Sequence, residues 1–98
     1  MTYSGATDTR RLLAGLQEYR KSLEKHIAQL TSEYNQLENR WRAFNAVSEG
    51  DYATQFRSGW LQTDARFKGY INQSQKIKAL LNERILALEE LNRQEGGL

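Results

Sequence analysis

The residue best suited to chemistry is His26, the only histidine in the chain. An imidazole needs partners before it can act: a hydroxyl or thiol to deprotonate, a carboxylate to orient it, or further ligands to share a metal. Ser22 and Ser74 are the candidate hydroxyls, and there is no cysteine to supply a thiolate. A pair of long helices, the architecture derived below, offers neither a concave pocket nor an oxyanion hole for a serine nucleophile. Neither Glu-x-x-His nor His-Glu-x-x-His occurs, so a transition-metal site would need carboxylates alone. The glycines follow no phosphate-cradling GxGxxG or GxxxxGK[ST] pattern. No catalytic, cofactor-binding or metal-binding residue is expected, and the chain reads as non-enzymatic.

The next chemistry is electrostatic. Arg66, Lys68, Lys76 and Lys78 lie between Ala65 and Asn82 with no acid among them, which raises a weakly basic nucleic-acid-associated factor as an alternative. On a heptad wheel the four spread around the helix rather than along one stripe, whereas phosphate tracking needs a coherent stripe or groove. With 14 basic against 12 acidic residues the net charge is only +2, so a solvated helix back is the better account and nucleic acid is not the expected partner.

Aromatic residues give the strongest local signal. Seven of the ten fall between Trp41 and Tyr70: Trp41, Phe44, Tyr52, Phe56, Trp60, Phe67 and Tyr70. Large rings at one end of a fold can knit a turn together or anchor a partner, and the two roles are compatible.

The elements that position these residues follow from spacing. Leu12, Leu16, Tyr19, Leu23, Ile27, Leu30, Tyr34, Leu37, Trp41 and Phe44 recur in steps of three and four, the signature of a helix with one apolar, coiled-coil-like seam. Two successive steps of four break the alternation close to Ile27 and predict a stutter there. The helix is expected from about residue 8, capped by Thr7 or Asp8, to about residue 47. Ser48-Glu49-Gly50-Asp51 then joins turn formers, a glycine able to take positive φ and a new capping residue.

The second half keeps its own seven-residue rhythm. One row is Ala53, Trp60, Phe67, Ser74, Leu81 and Leu88; the other is Phe56, Thr63, Tyr70, Ile77, Arg84 and Leu91. These predict a helix from about 51 to about 93. Two helices of nearly equal length joined by a short turn fold back on each other, since their stripes must be covered. The fold class is all-α, a single antiparallel two-helix hairpin. A register in which facing residue numbers sum to about 99 or 100 brings Trp41 and Phe44 to Phe56 and Trp60, and sets His26 opposite Ser74. That pair reads as a polar layer fixing the register.

A chain of about 100 residues with Trp41, Gly50, Ala53, Phe56 and Trp60 so placed, including an Ala-x-x-Phe-x-x-x-Trp run opening the second helix, resembles the WXG100 or ESAT-6-like family. The resemblance implies a small dimeric four-helix bundle that works by protein–protein interaction, as a type VII secretion substrate or as a partner of one.

Energetics independent of that resemblance also ask for a partner. A lone hairpin buries one stripe per helix against the conformational entropy of ordering roughly 85 residues, and widened stripes leave a second apolar edge uncovered. A homodimer or a paralogous helical hairpin is therefore the expected partner, with a coiled-coil adaptor or structural protein as a further alternative. The interaction and turn residues expected are Trp41, Phe44, Gly50, Phe56, Gly59, Trp60, Phe67 and Tyr70. Gly59, costly inside a helix, predicts either a close approach by another helix or a local irregularity. No apolar run reaches the roughly 20 residues of a membrane span, and the N-terminal segment lacks a signal-peptide core. The expected location is the cytoplasm, with any export independent of a Sec-type signal.

Overall fold

The computed structural model describes residues 5–47 and 50–96, and the side chains from residue 8 on, apart from those of residues 51, 52 and 96. Two α-helices account for all of them but Gly50, α1 (Gly5–Val47) and α2 (Asp51–Gly96), packed on each other as a helical hairpin with no strand among the described residues. With no proline in the chain, nothing interrupts either hydrogen-bond ladder. α1 starts three residues ahead of Asp8, which instead sits in the first turn, where a carboxylate opposes the partial positive charge of unpaired N–H groups. α2 runs three residues past Arg93 to Gly96.

Gly50 carries the reversal, with φ of 93°, a conformation that side-chain-bearing residues resist. Its carbonyl accepts the Thr54 N–H at 3.1 Å and the Thr54 hydroxyl at 3.3 Å. Gly50 is thus the last residue before α2 and accepts its first bond, while Asp51, the expected cap, is already helical. Ser48 and Glu49, also assigned to the turn, lie outside the described residues.

The chain divides into two compact units, one made of Met1–Lys25 with Gln75–Leu98 and the other of His26–Ser74. In the first unit the covered seam of α1 is Thr9, Leu13, Leu16, Arg20 and Leu23; in the second, where Glu38 beside it is also half-covered, it is Ile27, Leu30, Tyr34, Leu37, Trp41 and Phe44. Their steps alternate four and three without a break, so the expected stutter at Ile27 is absent from the burial pattern. It arose from counting Leu12 and Tyr19, which are 54% and 53% exposed. The covered positions beside them are Leu13 and Arg20.

A similar correction applies to α2. The row Ala53, Trp60, Phe67, Ser74, Leu81 and Leu88 is covered throughout, but every member of the row Phe56, Thr63, Tyr70, Ile77, Arg84 and Leu91 is exposed. The row that completes the seam is Arg57, Asp64, Ile71, Lys78, Ile85 and Asn92. Four of those six are polar, which hid them from a search for apolar spacing. Long or paired polar side chains occupy seam positions by laying their stems against the neighbouring helix and bonding at their tips. In the first unit Arg20 donates to Asn82 Oδ1 at 3.2 Å, and Glu24 lies 4.0 Å from both Arg20 and Lys78. Ile85, fully buried, is the centre of that unit's apolar packing.

Candidate functional site

The second unit holds the aromatic cluster. α1 contributes Trp41 and Phe44, three residues apart, and α2 contributes Phe56 and Trp60, four apart, so each pair shares a helix face and all four rings meet across the hairpin. The Trp41 indole stacks on Phe56 at 5.9 Å and 8° and on Trp60 at 5.6 Å and 16°. Phe44 closes the end against Phe56 at 4.5 Å. The series continues through Trp60 to Tyr34, 6.5 Å away, and on to Phe67, 6.0 Å from Tyr34. Ring pairs at such separations contribute about 0.5–1.5 kcal/mol each beyond the surface they cover.

The cluster does not close over itself. Phe56 remains 49% exposed and borders an open groove of about 690 Å³, floored by Leu37, Trp41, Phe44 and Trp60 and edged by Arg40, Gly59 and Thr63. A second groove lies among His26, Leu30, Arg66, Phe67 and Tyr70, with Tyr70 57% exposed. His26 is exposed and meets Tyr70 edge-on at 6.0 Å, and Ser74 is buried. No hydrogen bond joins His26 to Ser74 among the described residues.

Gly59 lies in the interior of an unbroken α2, so no local irregularity accounts for it. A Cβ built there would meet nothing within 4 Å. Gly59 lines the groove, and among the described residues no other part of the chain comes that close to it.

One polar group crosses between the helices beneath these rings, and the sequence reading missed it. The Tyr34 hydroxyl donates to Asp64 Oδ1, and Lys68 Nζ lies 3.0 Å from the other carboxylate oxygen and 5.9 Å from the Tyr34 ring centre. The donated hydroxyl bond, with Lys68 beside it, holds the Asp64 carboxyl below its ordinary pKa against the opposing effect of burial. The same bond, together with Glu38, pushes the Tyr34 phenol well above its ordinary value, because a phenolate would face two carboxylates. The legible signal was an acid on the covered side of α2 with a lysine four residues later. Near the turn, Arg57 Nε donates to Asn45 Oδ1 at 2.5 Å and further ties α2 to α1.

This arrangement stacks rings across the hairpin and leaves apolar grooves open beside them. Among the described residues no group of three or more His, Cys, Asp or Glu side chains is placed to hold a metal ion, and no helix is long and apolar enough to cross a membrane. Of the four basic residues considered for phosphate contact, Lys68 and Lys78 are engaged by Asp64 and Glu24. No protein-family model, curated protein or solved structure matches the chain.

Proposed function

We propose that the chain is a non-enzymatic protein–protein interaction module that pairs with a second helical hairpin, together forming a four-helix bundle of the kind the ESAT-6-like resemblance implies. The observation that carries this reading is the uncovered aromatic side of the second unit, where Phe56 and Tyr70 stand half exposed beside two open apolar grooves. Large rings left partly in water beside unfilled apolar grooves are the composition of interface anchors. In the first unit the corresponding rows leave Leu12, Tyr19, Ile77 and Leu91 exposed as well. Export through a type VII route belongs to the same proposal and would follow from the resemblance rather than from the groove.

Light scattering combined with thermal melting tests the reading. The expected result is a mass above that of one chain, with a melting temperature that rises with protein concentration. A single chain that stays monomeric at micromolar concentration and melts cooperatively overturns it.

A further inference from the structure

The two open grooves of the second unit share one charge pattern. Arg40 lines the larger and Arg66 the smaller, and no carboxylate lines either. Glu33, seven residues from both His26 and Arg40 on α1, is exposed outside them. Neither arginine forms an ion pair among the described residues, whereas Arg42 and Lys68 on the same two helices pair with Glu38 and Asp64. We infer that the grooves receive an amphipathic helix of a different chain, one whose apolar stripe is flanked by aspartate or glutamate. This rests on the interaction reading above and names the partner's chemistry.

The lining accounts for the apolar stripe. Aromatic side chains and arginine are enriched at the buried centres of protein interfaces, where lysine and the acids are depleted, and both grooves have that make-up. Phe56 and Tyr70 stand fourteen residues apart on α2, about 21 Å of helix. A partner helix of about four turns therefore spans both grooves with anchors at steps of three and four. Gly59 edges the larger groove, and the empty space above its backbone admits a close approach.

Charge accounts for the flanks. Arg40 comes from α1 and Arg66 from α2, so a helix laid along the grooves meets one cation from each. Carboxylates beside its apolar stripe pair with both, as flanking charges do when helices select their partners. A second copy applying the same face would present the same arginines with no groove-lining carboxylate to answer them, so this pattern discriminates against self-pairing.

Two synthetic helical peptides of about 20 residues test the inference. They share one stripe of leucine and phenylalanine at steps of three and four, flanked by glutamate in the first and by lysine in the second, and each is titrated calorimetrically into the full chain at low salt. The glutamate peptide should bind at least about tenfold more tightly than the lysine peptide, and added salt should narrow the difference. Arg40→Gln combined with Arg66→Gln should keep the helicity and melting temperature while abolishing the preference. Arg10→Gln combined with Arg11→Gln, which removes the same charge from exposed positions in the first unit, should leave it intact. Gly59→Leu, which has free space in the hairpin, should keep the fold and weaken the glutamate peptide. Equal binding of the two peptides, a preference that survives the Arg40 and Arg66 substitutions or falls equally in the first-unit control, or binding indifferent to Gly59→Leu overturns the acidic partner in these grooves and leaves the interaction reading standing. Binding of neither peptide also overturns it, and the light-scattering test then decides the interaction reading separately.

Discussion

The Tyr34 hydroxyl of α1 donates to the carboxylate of Asp64 on α2, and Lys68 closes on that carboxylate from one turn further along. A neutral donor, an anion and a cation are thereby held in line among stacked rings, and each needs its present protonation state.

Stability should therefore fall at both ends of the pH scale. The Asp64 pKa is lowered on folding, so the unfolded chain binds more protons near its ordinary value of about 3.9, and the contribution is lost as pH drops below about 4. The Tyr34 pKa is raised, so its contribution is full below about pH 10 and is lost as pH climbs through the folded value. Urea melts across pH should show a plateau with two falling arms. Tyr34→Phe should flatten the alkaline arm and Asp64→Asn the acid one; arms unchanged in these variants would contradict the assignment.

Ile85, not its neighbours, should dominate the first unit. Ile85→Ala removes a fully buried side chain and should cost about 2–5 kcal/mol. Leu86→Ala removes a mostly exposed one and should stay within about 0.5 kcal/mol. Chemical denaturation of the two variants at one protein concentration distinguishes them, and similar losses would contradict the burial pattern.

The hydrogen bond from Arg20 to Asn82 should appear as a coupling between the helices. A double-mutant cycle of Arg20→Ala and Asn82→Ala is expected to give about 0.5–1.5 kcal/mol. Replacing both by leucine should leave the hairpin as stable or more so, since seam polar groups specify alignment more than they stabilise. Marked destabilisation by the leucine pair would show that the polar contact is needed for folding itself.

Glycine replacements should act in opposite directions. Gly69→Ala, in the interior of α2 with nothing within 4 Å of the new carbon, should stabilise by about 0.5–1 kcal/mol through helix propensity. Gly50→Ala must hold a φ of 93°, and it should destabilise by about 1–2 kcal/mol. Melting temperatures moving the same way in both would contradict the backbone account.

What could be read in advance, and what could not, divides by the kind of side chain in the seam. Gly50 between two turn-forming neighbours announced the reversal, and the turn's position set Trp41 and Phe44 within reach of Phe56 and Trp60. Both inferences rest on local chain geometry, which a sequence encodes directly. The alignment of α2 in the first unit is not legible because Ile77 and Leu91 look more buried than Lys78 and Asn92, whereas only the folded chain shows which positions the other helix covers. The Tyr34–Asp64 bond was hidden for the same reason: partners 30 positions apart leave no periodic trace. Leu12 and Tyr19 resemble seam residues because apolar residues that serve an edge and those that serve a seam are chemically alike, and only the second helix distinguishes them.

Trp41 and Trp60, the two tryptophans of the chain, lie nearly parallel with centres 5.6 Å apart. At that separation their electronic transitions couple, so the pair absorbs and emits as a joint chromophore rather than as two independent dyes. Circular dichroism in the far-ultraviolet region of the strong indole transition should accordingly carry an exciton contribution whose amplitude follows the closure of this end of the hairpin. The molecule thus contains its own optical gauge, and the proposed docking of a partner on the groove beside Trp60 can be tested by spectroscopy on the unlabelled chain.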